Sequence, residues 1–325
     1  MNMRFRRCIT VALCTLLSTL AHAQVRDFPN RPIRMVVPSA PSGTLDLVAR
    51  VLGPSMAESM GQAVVIDNRP GAATNIGMGI AAQAPGDGYT LLVVSNGLTV
   101  NPGLYPNLPF DVQKDLAPVS LILANLPYVL IVHPALPARS VNELVALAKA
   151  KPGVLTYSSG GYGTNIYVMS ELFKSLSGSN VLHVPYKSVG QTLTAVLSRE
   201  ADMTFFALAA AMPQVSAGKL RALAISGSKR SALLPGVPTV AEAGVAGYEF
   251  TSWVGILAPG TTPASTIAVL NNHIVKAVGT SGLAERFASE GADILASPPD
   301  KFAAHIKTEL VRWSKLIKEV GLRAE

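Results

Sequence analysis

The sequence predicts an α/β fold of two lobes, each a mainly parallel sheet flanked by helices, and three observations predict it. Short β-branched runs alternate with stretches of helical periodicity along most of the chain, the pattern of strands joined by crossover helices. Loops of small residues stand directly between several of these strands and helices. Two long apolar segments, 119–132 (broken by Asn125 and Pro127) and 250–258, are long enough to run through a core and pass from one lobe to another.

The elements follow in order. Residues 33–37, 64–66 and 91–94 read as buried strands. Leu45, Val48, Ala49, Leu52, Met56 and Met60 recur at helical spacing and stop at Gly61, an amphipathic helix with a glycine end. Ser140 and Glu143 form a capping box for a helix that Lys151-Pro152-Gly153 ends. Met169, Leu172, Phe173 and Leu176 mark a further helix, and 181–184, 203–206 and 222–225 further strands. Thr239 and Glu242 repeat the capping box, while Pro263 and Pro298 occupy positions where a first-turn proline is tolerated. If the two apolar segments are the crossings, one lobe is 24–124 with a return segment 247–325, and the other is 125–246.

The first residues read as an export signal. Arg4, Arg6 and Arg7 precede an apolar stretch over 9–20, and Ala21-His22-Ala23 has the small-x-small form of a cleavage site. This stretch of twelve residues falls short of the ~20 that span a bilayer. Leu13 is too large for a lipid-anchor motif at Cys14. Cleavage after Ala23 removes both cysteines, Cys8 and Cys14, leaving no thiol for a disulfide, nucleophile or metal site. The 27 Lys and Arg become 24 against 20 Asp and Glu, a net +4 spread along the chain. No run of basic residues suggests nucleic acid.

Three loops carry the chemistry. Pro41-Ser42-Gly43-Thr44, Gly71-Ala72-Ala73-Thr74 and Ser158-Ser159-Gly160-Gly161-Tyr162-Gly163-Thr164 each precede a helix. The first N–H groups of a helix lack internal partners, and its dipole adds partial positive charge there. Such termini bind carboxylates or phosphates without a basic side chain. One loop alone reads as ordinary capping; three, all after strands, point to a ligand cleft at the strand ends. Asp46 lies in the first turn after the first loop, where it complements the dipole, pins the loop or orients water.

Enzyme signals are weak. No G-x-S-x-G elbow, phosphate loop or H-x-x-x-H pair occurs, so no cofactor or metal is expected. His183 reads as a hydrogen-bonded structural residue, Glu200 and Asp202 as a solvated turn, and Trp253 and Trp313 as packing residues. A serine hydrolase using a loop serine such as Ser159 needs a base within reach, and no histidine adjoins the loops in sequence.

Several motifs recur together: Pro32-Ile33-Arg34-Met35-Val36-Val37-Pro38, Asn68-Arg69-Pro70-Gly71-Ala72, Asp87-Gly88-Tyr89-Thr90, Asn101-Pro102-x-Leu104-Tyr105, Lys151-Pro152-Gly153, His183-Val184-Pro185-Tyr186-Lys187 and Leu234-Pro235-x-Val237-Pro238-Thr239. In them the chain resembles the Bug-type periplasmic receptors of tripartite tricarboxylate transporters. The resemblance implies a two-lobed flytrap fold that holds a small carboxylate through backbone N–H groups and bridging water. By motif position, the first lobe would contribute Pro41, Ser42, Gly43, Thr44 and Asp46, with Asn75 and Ser95 nearby. The second lobe would contribute Ser159, Gly161, Gly163, Thr164, Tyr186 and Ser188.

The sequence departs from that family at Ser42, Thr44 and Leu45 in the first loop, at Ser188 in place of glycine and at Tyr167 in place of histidine. Its strand exit Phe205-Phe206-Ala207 also lacks the polar residue often found there. If Phe206 and Ala207 line the pocket, the ligand is one carboxylate on an apolar or aromatic body rather than citrate or an acidic amino acid; if they point into the core, they say nothing of it. The expected protein is a monomeric periplasmic receptor that hands its ligand to membrane transporter subunits. A sensor feeding a membrane kinase is the alternative that sequence does not separate.

Overall fold

The computed structural model describes residues 28–41, 43–288 and 291–322, so the expected leader and Ser42 lie outside the described residues. β1 (Ile33–Val37), α1 (Thr44–Met60), β2 (Val64–Asn68), α2 (Asn75–Ala82), β3 (Thr90–Val94) and α3 (Gly97–Leu104) open the chain. β1 lies between β2 and β3 and pairs parallel with both, Met35 opposite Ile66 on one side and Leu91 on the other. α1 buries Leu45, Val48, Ala49, Leu52, Met56 and Met60, the residues whose spacing marks it in the sequence, and Gly61 ends it in a left-handed conformation.

β4 (Leu116–Leu126) stays in this first sheet, and β5 (Tyr128–Val132) belongs to a second. The long apolar run thus divides at Pro127, which has no N–H to continue a ladder. α4 (Val141–Ala150), β6 (Thr156–Ser159), α5 (Asn165–Ser177), β7 (Leu182–Pro185), α6 (Val189–Leu197), β8 (Met203–Ala207), α7 (Leu208–Ser216) and β9 (Arg221–Ile225) complete the second lobe. The chain then returns: β10 (Ser252–Pro259), α8 (Ala264–Thr280), α9 (Leu283–Ala288), β11 (Asp293–Ile294) and α10 (Pro299–Val320). Among the described residues the strand orders are β11-β4-β10-β3-β1-β2 and β7-β6-β8-β5-β9.

Two lobes of sheets flanked by helices are therefore present, but each sheet is mixed rather than mainly parallel. β1 to β3 and β6 to β8 pair parallel, whereas β10 runs antiparallel to β3 and β4, and β5 antiparallel to β8 and β9. The antiparallel strands include those on either side of a crossing, and the short β11 also runs antiparallel to β4. A strand arriving from the other lobe enters its sheet from the opposite end, so its direction reverses.

Ser226 ties the two crossings together. Its Oγ accepts from the Tyr128 N–H at 3.0 Å and donates to the Phe250 carbonyl at 2.8 Å. A further bridge is α10. Phe302 and Ile306 pack with the first sheet, whereas Trp313 and Ile317, with Leu322 just past the helix end, pack in the second lobe's core. Phe302 rests directly on Gly255 of β10, where any Cβ would run into the ring. Both tryptophans are buried, and Trp313 Nε1 donates to Glu309 at 2.9 Å.

Some local expectations need correction. Ser140 accepts from the Glu143 N–H as a cap, but Glu143 reaches the N–H of Arg139, one residue before the cap. Thr239 and Glu242 do form the reciprocal box, at 3.1 and 2.9 Å, yet only a turn follows. Gly244, at φ 109°, ends it before a helix can propagate. Pro263 and Pro298 stand at N-cap positions, one residue before the first turn.

Candidate functional site

Parallel strands place their carboxyl ends together, so the segments after β1, β2 and β3 share one edge of the first lobe, and those after β6, β7 and β8 one edge of the second. Ligand crevices in open α/β sheets lie outside such ends. The two edges meet. A Cβ on Gly163, in the segment after β6, would lie 2.9 Å from Ala73 Cβ, 3.0 Å from Asn101 Oδ1 and 3.1 Å from the Tyr105 ring. Beside this contact, Tyr105 Oη donates to the Tyr162 carbonyl at 3.1 Å, and Asn165 Nδ2 donates to Ser252 Oγ at 3.0 Å.

In the first lobe, Asp46 is 2% exposed. Its carboxylate accepts from Arg50 Nε and from Asn68 Nδ2, both at 2.8 Å, and Asn68 also donates to the Ser39 carbonyl at 3.1 Å. Asp46 thus pins the loop that carries Pro41, Gly43 and Thr44, all at least partly exposed. The next segment is strained. Ala72, Ala73 and Thr74 have φ of 45°, 52° and 77°, a left-handed run that costs roughly 1–2 kcal/mol per residue. Asn101 Nδ2 holds it by donating to the Ala73 carbonyl at 2.7 Å and to Asn75 Oδ1 at 2.8 Å. Ser95, partly exposed, precedes α3. The N-cap residues of α1, α2 and α3, Gly43, Thr74 and Asn96, make no side-chain cap bond, and in α3 the Leu98 and Thr99 N–H groups donate to the Ser95 and Asn96 carbonyls at 2.9 Å.

The second lobe treats its helix starts differently. Thr164 caps α5, accepting from the Tyr167 N–H and donating to the Gly161 carbonyl at 2.7 Å. Ser188 caps α6 through the Gln191 N–H. Tyr186 donates its backbone N–H to the Ser159 carbonyl, while its phenol is raised by burial and then by the neighbouring Glu200 carboxylate. Phe205 and Phe206 point to opposite faces of β8 and both are buried, Phe206 at 6% exposure, because helices cover both faces. At this strand exit only Ala207 is partly exposed.

Ser159 and His183 are far apart in sequence but adjacent here. β6 and β7 pair parallel, and Ser159 Oγ lies 2.6 Å from His183 Nε2. The imidazole stacks on Tyr157 at 4.8 Å and meets the edges of Tyr162 and Tyr167. Burial pulls its pKa down to about 4, opposed by Glu171 and assisted by Lys174, so it is neutral at ordinary pH. Tyr157 Oη donates to Glu171 at 2.6 Å, and burial together with that carboxylate holds the phenol protonated. A serine nucleophile needs its base oriented by a third group. His183 Nδ1 has no such partner, and Ser159 is fully buried with its Oγ already accepting from the Gly161 N–H at 3.0 Å. The pair is a brace for the loop. Among the described residues no group of three metal-ligating side chains assembles.

The model of the tripartite tricarboxylate transporter receptor family matches residues 48–322. The chain belongs to that family. It is a solute-binding receptor of the two-lobed kind and not an enzyme. The receptor is 36% identical over 298 residues to BugT of Bordetella pertussis, with 91% of each chain covered. It superposes on the Rhodopseudomonas palustris protein Rpa4515, solved with adipate, at a TM-score of 0.84 and 34% identity, covering 91% of this chain and 99% of that one. MatC from the same organism, solved with bound malate, gives 0.83 at 30% identity, covering 89% and 100%.

Sequence reasoning missed Asn101 and Tyr105 as cleft residues. Their motif was visible, but their proximity to Gly163 depends on how the lobes meet. Asn68 was missed because its partner Asp46 lies 22 residues earlier, on a neighbouring element of the same lobe.

Proposed function

We propose that this receptor captures a small carboxylate between its lobes in the periplasm and delivers it, as a monomer, to the membrane subunits of a tripartite tricarboxylate-type transporter. The observation that carries the reading is the meeting of the two carboxyl-end edges at Gly163, whose segment lies against the left-handed Ala72–Thr74 turn at the start of α2 and against Asn101 and Tyr105. Free N–H groups at the positive ends of helix dipoles bind a carboxylate through charge-assisted hydrogen bonds and need no metal. The bound adipate and malate of the two R. palustris relatives support the ligand class.

On this reading the candidate contacts are Pro41, Ser42, Gly43, Thr44, Asn75 and Ser95 from the first lobe, with Gly161, Gly163, Thr164, Ser188 and Ala207 from the second. Asp46, Ser159 and Tyr186 act behind them by holding the loops. The lobes divide near residues 124 and 246, and the mature chain begins at Gln24. A thermal-shift screen against mono-, di- and tricarboxylates, aromatic acids and acidic amino acids tests the proposal. An acid at about 100 times its Kd adds about 2.7 kcal/mol of stability. No stabilisation by any carboxylate would overturn it.

A further inference from the structure

α3 carries a motif, Asn101-Pro102-Gly103-Leu104-Tyr105, whose chemistry the cleft loops alone leave unused. The helix touches the returning segment, the bridging helix and the second lobe. Before its first turn, Asn96 is fully buried, donating to the Thr251 carbonyl at 3.1 Å and accepting from the Trp253 N–H at 3.3 Å, on the segment that returns from the second lobe. At its end, Gly103 abuts Ile317 of the bridging helix α10, and Tyr105 bonds the second lobe's Tyr162.

Asn101 lies between these contacts and is also fully buried. Its two halves do different work. The NH2 group has two acceptors, the Ala73 carbonyl in the left-handed turn and Asn75 Oδ1 at the start of α2. By donating to Asn75 Oδ1 it fixes which way that amide faces, and among the described residues the Asn75 NH2, in a side chain only 7% exposed, makes no further hydrogen bond. The other half, Asn101 Oδ1, is buried without a hydrogen-bond partner and faces Gly163 of the second lobe.

We propose that Asn101 is a positioning residue that couples capture to closure: it holds the Ala72–Thr74 turn and the Asn75 amide in register for an acid, and it is the surface on which Gly163 seats when the lobes meet. This rests on the reading that the cleft binds a carboxylate. Asn75 supplies the donor to the acid. Asn101 acts through Asn75 and the turn.

The test compares the native protein with Asn101→Ala, Asn75→Ala and the double variant. One readout needs no acid: hydrogen exchange at the amides of residues 73–76. The other is binding of adipate, malate, benzoate and citrate by calorimetry and stopped flow. Asn101→Ala is expected to speed exchange at 73–76 at least about tenfold while the strands of both sheets stay protected. It should also weaken the tightest-binding acid at least about tenfold, through faster dissociation with little change in association. The double variant should bind no more weakly than Asn101→Ala by more than about twofold, because the two residues act as one unit. Native exchange at 73–76 in a folded Asn101→Ala protein would overturn the proposal, as would fully additive losses. If none of the four acids binds the native protein, the capture reading fails at that step, and the exchange rates still decide the positioning role.

Discussion

At Gly163 two restrictions coincide. Its φ of 74° is one that a β-branched residue rarely adopts, and a Cβ there would press on Ala73, Asn101 and Tyr105 of the other lobe at 2.9–3.1 Å. Backbone strain of this kind costs roughly 1–3 kcal/mol, and it acts where the lobes meet rather than in either core. Gly163→Val is therefore expected to leave each lobe folded and to raise the Kd of the bound acid about tenfold or more, the equivalent of about 1.4 kcal/mol. Circular dichroism together with titration calorimetry checks both halves. Unchanged affinity in the folded variant contradicts the account.

His183 yields a second residue-scale prediction, on pH. Its native pKa of about 4 lies below the unfolded value of 6.5, so between them the unfolded chain binds the extra proton. Stability is full above pH 6.5 and falls as pH drops toward about 4. His273 and His305 are also lowered by burial and act in the same direction. His183→Gln keeps a polar partner for Ser159 and removes one titrating group. Melting temperature in that variant should fall less steeply than in the native protein between pH 6.5 and 4. A native-like slope would mean that His183 is not the neutral brace described.

At the scale of elements, packing against α10 decides how much the chain tolerates. Gly255 on β10 gives Phe302 its seat, and Phe302 is fully buried. Overpacking a core costs typically about 1–3 kcal/mol. Gly255→Ala should destabilise by that amount in urea unfolding without altering the cleft residues; a neutral substitution would show that α10 shifts freely on the sheet. The elements also show what a single sequence reveals. α1 was legible because six buried residues repeat at helical spacing over 17 positions. Ser158 and Ser159 were read as loop, since Thr-Tyr-Ser-Ser offers one large apolar side chain, and parallel pairing with β7 and β8 makes them the end of a strand. The Thr239–Glu242 box formed without a helix because the glycine two residues later stops propagation. The loops of the site were legible through glycine and small residues. Asn101, Asn68 and the Ser159–His183 brace were not, because each depends on a partner 22 to 28 residues away or on the opposite lobe.

Over the whole molecule, three connections hold the lobes: the Pro127 crossing, the return segment tied at Ser226, and α10, which buries residues in both cores. If capture proceeds by rotation about the two crossings, the loops after the parallel strands close on the acid. Capture should accordingly compact the receptor, and small-angle scattering is expected to show a smaller radius of gyration with a bound acid than in Gly163→Val under the same conditions. The central claim is narrower, that helix N-termini and no metal hold the carboxylate. Its most direct test is calorimetric titration of chelator-treated protein with adipate, malate, benzoate and citrate beside the uncharged amide of each. The account predicts that at least one acid binds, one per chain, and that its amide binds at least about tenfold more weakly, since each charge-assisted hydrogen bond is worth roughly 1.5–3 kcal/mol. Binding that disappears with the chelator, or an amide that binds as tightly as its acid, would contradict it.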